Sequence, residues 1–529
     1  MNSLVILAIA LVFFVFGYKV YAQKIERLFE LNPKRATPAL SKFDSVDYVP
    51  AKNWFVLFGH HFASIAGAGP IIGPIMAAFL WGWLPALLWI IFGTVFIGAV
   101  HDFGALLVSV RSEGKSISEV SEAAISKKAR IIFSIFVWLA LILVIAVFLN
   151  LCAKTFVTEP RIVLPSLGLI PVALLTGFLL YRVKMGIVPS TLIGIILLTI
   201  LIFAGSNFPL MLAGNAARNW SLILLFYCLI ASVLPVNILL QPRDYLCGYL
   251  LFFGLIVGFA GLFIRRPEIS IPAYIKWNSA KGPLWPFVFI IVACGAVSGF
   301  HALIASGTTS KQLASERQAR RIGYGAMVTE GLVAVFAILA AGSGLKNTDL
   351  LSALKDPINS FGAGYGVLTD NFLFGFGSFV AITVLNAFIL TTLDTATRIG
   401  RYITQELFKI KSRYPATLII VFLSGVFALS GKWDKIWPAF ATANQLTAAL
   451  ALMVICCYLL LHKKSVKIFI VPVLFMFVTT FFALLFQIKQ YAAKDSRNYI
   501  LLSVSLVLIV LSVFMAVESV KAVKRLKKG

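Results

Sequence analysis

The sequence predicts an all-α polytopic membrane protein with about fifteen transmembrane helices. Three observations predict this fold class. The chain of 529 residues is 60% hydrophobic and only 13% charged. Apolar runs of about 20 residues recur from end to end, and each is long enough to cross a bilayer as a helix. The basic residues, which give a net charge of +25, lie mainly between these runs, as the positive-inside rule expects of cytoplasmic loops.

The predicted spans alternate with more basic and less basic loops. They cover about residues 3–21, 56–80, 84–108, 131–151, 163–181, 187–205, 219–240, 246–264, 285–306, 322–342, 372–393, 415–430, 437–461, 468–487 and 499–518. An odd number of spans puts the two termini on opposite sides of the membrane. The basic tail after the last span predicts a cytoplasmic C-terminus and an external N-terminus.

The stretch from Gly59 to Pro74 interrupts the second predicted span. It holds two adjacent histidines, four glycines and two prolines in apolar surroundings. Proline lacks a backbone donor, and glycine leaves helical angles cheaply. Non-helical backbone at membrane depth lines the binding sites of transporters. We therefore expect substrate contacts from Ser64, Gly67, Gly69 and Pro70, the alternative being a kinked packing helix.

The order of the spans predicts an inverted repeat. Spans 2 to 6 are five helices that begin inside, and spans 7 to 11 are five that begin outside. Such units, each starting with a broken helix, form a leucine-transporter-like fold; Pro235 and Pro242 interrupt the end of span 7. A bundle without symmetry is the alternative. The predicted segments are 1–54 (first span and basic loop), 55–205 and 206–411 (the two repeat units) and 412–529 (accessory spans and basic tail).

Ionisable residues inside apolar runs mark a second feature. His60, His61, His101, Asp102 and His301 are predicted to lie at similar depth in three different spans. Such groups are costly in a membrane and usually face a cavity or one another. Three interpretations remain open: a proton relay or substrate contact, a transition-metal site formed by these five residues, and hydrogen bonds that join helices.

Other polar side chains near the predicted spans complete the candidate site. Hydroxyl groups can bind sodium, although small-residue packing explains the same pattern. Asp394 and Arg398 are four residues apart and can pair on one helix face. We expect further substrate contacts from Asn237, Gln241 and Arg243. Further ion or proton coupling is expected from Ser298, Ser306, Thr308 and Thr309. Gating or structural pairing is expected from Asp244, Glu330, Asp394 and Arg398.

Several function classes lack their sequence signatures. The chain contains no phosphate-binding Walker motif, no Gly-x-Ser-x-Gly and no His-Glu-x-x-His. Its six cysteines show neither metal nor disulfide spacing. The positive charge is explained by membrane topology, so we expect no nucleic-acid partner. We expect neither enzymatic activity nor ATP-driven transport by this chain.

Five motifs make the sequence similar to one known family. They are GHHFASIAGAGPIIGP (59–74), GAVHDF (98–103), QPRDYL (241–246), SGFHALIASGTT (298–309) and TLDTATRIGRY (392–402). The chain resembles the carbon starvation protein A family of bacterial inner-membrane transporters. The resemblance implies uptake of small peptides or pyruvate during starvation, and kinship with amino acid, polyamine and organocation transporters.

The function predicted from these features is ion-coupled secondary transport. The coupling ion would be H⁺ or Na⁺, the partners a small substrate and membrane lipid, and no certain cofactor is expected, with a transition metal as a minority alternative. Two other functions remain open: a membrane metabolite sensor with a transporter-like pocket, and an intramembrane metal-binding protein. The resemblance implies a multi-pass protein of the bacterial plasma membrane.

Overall fold

The computed structural model describes residues 2–344, 356–429, 433–493 and 498–528. The protein is about 81% helical. Thirteen helices in this part of the chain are long and apolar enough to cross a membrane. Each coincides with one predicted span, so the prediction of a polytopic α-helical membrane protein is confirmed.

The α-helices follow one another with short connections. They are α1 (Ser3–Phe16), α2 (Ala22–Phe29), α3 (Pro38–Ser41), α4 (Trp54–Ala66), α5 (Gly69–Trp81), α6 (Trp83–Gly93), α7 (Ala99–Arg111), α8 (Ile117–Ala124), α9 (Lys127–Thr158), α10 (Val163–Tyr181), α11 (Ile187–Asn207), α12 (Ala216–Val233), α13 (Leu240–Arg265), α14 (Leu284–Ile291), α15 (Gly299–Gly307), α16 (Gly325–Gly344), α17 (Pro357–Leu373), α18 (Gly377–Phe408), α19 (Arg413–Ala428), α20 (Trp433–Leu461), α21 (Lys467–Ala492) and α22 (Tyr499–Lys528).

Shorter elements join some of these helices. π-Helical turns at Gly17–Tyr21, Thr94–Gly98 and Arg320–Tyr324 continue α1 into α2, α6 into α7 and the preceding loop into α16. Single 3₁₀ turns lie at Pro160–Ile162, Thr309–Lys311 and Glu316–Gln318. The strands β1 (Asn278–Ser279) and β2 (Gly282–Pro283) form a small antiparallel hairpin before α14.

Two predicted spans differ from a long continuous helix. The prediction of an unbroken span over 285–306 is wrong, because α14 and α15 are separated by the non-helical segment 292–298. The span predicted at 415–430 corresponds to the shorter α19, of 16 residues; its predicted end at position 430 lies outside the described residues.

The boundary predicted for span 7 also changes. Helix α12 ends at Val233, and α13 begins at Leu240. Pro235 therefore lies in the connecting turn, whereas Pro242 lies in the first turn of α13, where a missing backbone donor costs little. The prediction that span 7 continues to residue 240 is wrong.

Burial separates a central group of helices from a peripheral one. In the most apolar part of Trp54–Trp81 and of Gly377–Phe408, 94% of the residues are buried. The corresponding share is 22% in Ile187–Asn207 and 28% in Tyr499–Leu526. Helices α4, α5 and α18 therefore form the centre of the protein, while α11 and α22 present large apolar side chains to lipid.

Candidate functional site

The first break in the membrane-spanning part lies between α4 and α5. Gly67 follows α4 with a φ of +32°, a conformation that favours glycine. A Cβ atom there would lie 2.8 Å from Phe148 Cε1 and 2.9 Å from Thr392 Oγ1. All residues from 56 to 75 are buried. The predicted interruption of span 2 is therefore confirmed, and it lies in the protein interior.

The second break, between α14 and α15, was not predicted. Its free carbonyl groups are bonded by side chains of neighbouring helices. Trp89 Nε1 donates to Val292 O at 3.0 Å, Thr94 Oγ1 to Gly295 O at 3.2 Å, and Gln445 Nε2 to Phe289 O at 2.9 Å. Irregular backbone at membrane depth is tolerated when it is satisfied in this way.

The two breaks pack directly against each other. A Cβ atom on Gly69 would lie 2.4 Å from Cys294 Cβ, and one on Gly73 would lie 2.4 Å from Ile291 O. Gly295 approaches Pro70 Cα in the same way, at 3.4 Å from its Cβ position. Glycine thus permits two discontinuous helices to meet backbone to backbone, with Gly69 and Pro70 at the point of contact.

Asn444 holds the start of α15 and was missed by sequence reasoning. Its Oδ1 accepts a hydrogen bond from Phe300 N at 2.8 Å, and its Nδ2 donates to Ser298 Oγ at 3.0 Å. The side chain therefore caps the second half-helix from outside it. The available signal was two adjacent amides, Asn444 and Gln445, in an apolar run. Both lie on α20, within the segment predicted as accessory.

The predicted ionisable cluster exists around Asp102. Its Oδ1 lies 2.8 Å from His101 Nδ1, and its Oδ2 lies 2.8 Å from His301 Nδ1. On the other side of His301, Nε2 lies 3.3 Å from Glu330 Oε2. All four side chains are fully buried. They come from α7, α15 and α16, so three separated motifs converge in one chain of two carboxyl groups and two imidazoles.

His60 and His61 make different contacts. His61 Nδ1 lies 2.8 Å from Thr309 Oγ1. His60 Nδ1 lies 2.6 Å from Asp244 Oδ2, and its Nε2 lies 3.0 Å from Gln312 Nε2. His60 thus joins a second buried network, whereas its neighbour on α4 does not share it.

This second network continues from Asp244 to Arg243 and α18. Arg243 Nη2 donates to Asp244 Oδ1 at 2.8 Å and Nη1 to Tyr227 Oη at 2.7 Å. Arg243 also forms an ion pair with Asp394. Asp394 is therefore neutralised from another helix, and the predicted pairing with Arg398 one turn away is wrong. Tertiary contact supplies each of these two residues with a nearer partner.

Arg398 instead binds the loop before α4. Asp47 Oδ1 accepts hydrogen bonds from Arg398 Nη1 at 3.0 Å, Arg401 Nη2 at 3.2 Å and Tyr402 Oη at 2.6 Å. Burial raises the pKa of the Asp47 carboxyl, but Arg401, Arg398 and the Tyr402 hydrogen bond lower it further, so the pKa lies below its usual value. This loop is fastened to α18 on the side predicted to be cytoplasmic.

The predicted substrate residues fall into two places. Ser64, Gly67, Gly69 and Pro70 lie at the first break, where Ser64 Oγ is 3.0 Å from Thr395 Oγ1. Asn237 lies in the turn after α12. Gln241 donates to Gln312 at 2.8 Å, and Arg243 is ion-paired. These last three therefore belong to the second network rather than to the break.

The predicted hydroxyl ligands are also divided. Ser298 lies at the second break and bonds Asn444. Ser306, Thr308 and Thr309 lie at the opposite end of α15, where Ser306 Oγ accepts from Ile117 N at 3.1 Å and Thr308 Oγ1 donates to Ile304 O at 3.1 Å. In the described part of the chain, no three His, Cys, Asp or Glu side chains are arranged to hold a metal ion.

Three comparisons with known proteins place these features in context. The family model for Carbon starvation protein CstA matches residues 2–363 and 347–483. The chain is 32% identical to the Escherichia coli pyruvate/proton symporter BtsT, covering 89% of this chain and 80% of that protein. It is also 32% identical to the Campylobacter jejuni peptide transporter CstA, over 93% and 81% of the two chains.

The fold is shared with a solved transporter structure. The manganese transporter of Eremococcus coleocola superposes with a TM-score of 0.57 at 13% identity, over 92% of this chain and 99% of that chain. The predicted leucine-transporter-like fold is thereby confirmed. The five-plus-five repeat with its second unit starting at span 7 stays a prediction; the two breaks observed lie in spans 2 and 9.

Proposed function

Since the chain belongs to the carbon starvation protein CstA family, we propose that it is a secondary transporter that takes up pyruvate or small peptides together with a coupling ion. Its relatives named above are a pyruvate/proton symporter and a peptide transporter. The multi-pass protein would lie in a bacterial inner membrane with its N-terminus outside, as the basic loops favour. Its chemistry would be movement of the substrate, without bond formation or cleavage.

One observation carries this proposal: two broken helices meet at membrane depth beside a buried chain of ionisable groups. Half-helix ends at such a meeting point can bind a small polar substrate. Helix α5 begins at Gly69 with no described side chain as its cap. Its positive end would therefore attract a carboxylate, a group that pyruvate and peptides both carry.

Proton coupling is the form of transport that the site favours. Asp102 bonds two imidazoles, and His301 lies between Asp102 and Glu330. Like charges so close together in a dry interior are disfavoured, so protons would be shared among these groups. A proton could stabilise one conformation more than the other only by binding the two with unequal affinity. Opening of the site to one side would supply that difference.

Alternating access would require the contacts on the basic side to break. The network of His60, Asp244, Arg243 and Asp394 joins α4, α13 and α18. Asp47 joins the preceding loop to α18. Both groups lie between the two breaks and the predicted cytoplasm, so we assign them to an inner gate that separates when the substrate is released.

The test is uptake into proteoliposomes. Labelled pyruvate and a labelled dipeptide are offered under an inward proton gradient or an inward sodium gradient. Accumulation of one substrate under the proton gradient alone is expected. Accumulation driven only by sodium would refute the proton relay, and tight binding without uptake would favour the sensor.

The relay is tested with Asp102→Asn. This change should abolish proton-driven accumulation while substrate exchange between the two sides continues, since exchange needs no net proton movement. Ser109→Ala on the same helix is the matched control, because Ser109 bonds Lys115 O and lies outside the ionisable chain. Normal accumulation by Asp102→Asn would refute this role.

A further inference from the structure

A groove between α1, α4 and α16 opens towards the lipid and is not part of the transport site. Its volume is about 560 Å³. The walls are apolar and include exposed side chains of α1, such as Leu11 and Val15. Span 1 precedes the predicted repeat units, and the proposed transport mechanism gives it no role.

Two cations lie at one end of this groove, on the side predicted to be cytoplasmic. Lys19 and Arg321 both line it and are both exposed. Among the residues that the structure describes, neither forms an ion pair. Their neighbour Arg320, by contrast, is paired with Glu26 at 2.6 Å. The guanidinium of Arg321 lies 5.2 Å from the centre of the Trp54 ring, at the level where aromatic side chains meet lipid headgroups.

We propose that this groove binds one anionic glycerophospholipid of the bilayer. The phosphate would contact Lys19 and Arg321, since basic pockets between membrane helices suit anionic headgroups. An acyl chain would follow the apolar wall from Lys19 towards Leu11, which is about 12 Å along a helix. Charge thus selects the headgroup, while the groove accepts the chain.

A second lipid-facing groove provides the contrast. It is lined by α11, α13 and α18 together with the connection before α18, and its volume is about 630 Å³. Size and apolar character are therefore similar. Its lining contains no Lys, Arg, Asp or Glu. Size and greasiness alone would predict equal occupancy of both grooves, and only the charged groove should select phosphatidylglycerol over phosphatidylcholine.

The position of the charged groove links the lipid to the ionisable groups. Phe58 of α4 lines it two residues before His60, and Val328 and Leu332 of α16 line it on either side of Glu330. A bound lipid would hold α1 against both helices. The occupied groove would therefore stabilise one arrangement of α4 and α16.

The test is retention of lipid by the purified full chain. Protein is equilibrated in micelles with equal amounts of phosphatidylglycerol and phosphatidylcholine, and bound lipid is counted by native mass spectrometry. Each basic residue near an anionic group contributes roughly a fivefold preference. The double variant Lys19→Gln with Arg321→Gln should lower the preference for phosphatidylglycerol roughly 25-fold. Lys409→Gln with Lys411→Gln removes the same charge elsewhere on that side and should leave it unchanged.

A steric pair separates groove binding from adsorption to a basic surface. Val328→Trp would fill the charged groove without changing its charge, and Ile202→Trp would fill the uncharged one. Loss of selective retention in Val328→Trp alone supports the proposal. Equal retention by wild type and by both groove variants, or equal loss in the two charge variants, would overturn it.

Discussion

Replacing Asn444 by leucine tests the architecture of the second break. The change keeps the volume of the side chain but removes the acceptor for Phe300 N and the donor to Ser298 Oγ, which lie at 2.8 and 3.0 Å. Ser298, Phe300 and Asn444 are all buried, so water cannot replace these bonds. A buried donor left without a partner costs roughly 1–3 kcal/mol. We therefore expect Asn444→Leu to lower the free energy of unfolding by about that amount.

The assay is reversible unfolding in mixed micelles, paired with uptake into proteoliposomes. Thr447→Val is the matched control, because the Thr447 hydroxyl bonds only Ala443 O of its own helix, at 2.8 Å. That change should cost less than about 0.5 kcal/mol. Asn444→Leu should also reduce uptake, because the start of α15 loses its cap beside the proposed substrate site. Equal stability of the two variants together with normal uptake by Asn444→Leu would refute this reasoning.

Two further changes test the first break and the inner gate. Gly67→Ala should lower stability by roughly 1–3 kcal/mol from backbone strain and by more through contact with Phe148, whereas Gly375→Ala, where φ is +84° and nothing lies within 4 Å of the Cβ position, should show the strain alone; equal losses in unfolding assays would contradict the close packing. The Asp47 carboxyl has a pKa below its usual value, so its stabilisation should be present above about pH 4 and be lost as the pH falls through the folded-state pKa. Unfolding of wild type and Asp47→Asn between pH 7 and pH 3 should therefore converge at the acid end, and parallel pH curves would contradict it.

The first break was predictable from local chemistry, and the second was not. Gly67, Gly69 and Pro70 disfavour a continuous helix by their own backbone properties. The segment 292–298 contains one glycine and no proline, so its sequence reads as an ordinary small-residue helix. Its helical hydrogen bonds are instead exchanged for bonds from Trp89, Thr94 and Gln445, which come from distant parts of the chain.

The polar networks show the same division. The depth of the histidines followed from counting residues, and the convergence of His101, Asp102 and His301 agrees with it. Which carboxylate each cation would bind did not follow. Asp394 and Arg398 satisfy the spacing rule for a helical pair, yet Arg243 and Asp47 lie closer to them in the folded protein. Local spacing gives a weak preference, which buried partners from other helices readily exceed.

The sequence by itself determined the class of the protein, its spans and its family, because these depend on hydropathy along the chain, on loop charge and on contiguous motifs. Only the tertiary structure decided where α15 begins, which residues cap it and how the buried charges are divided into two networks. These depend on contacts between residues hundreds of positions apart, such as Asn444 with Phe300 and Arg398 with Asp47. A buried polar atom takes whichever partner packing brings within hydrogen-bonding distance, and that distance is not encoded in any short stretch of sequence.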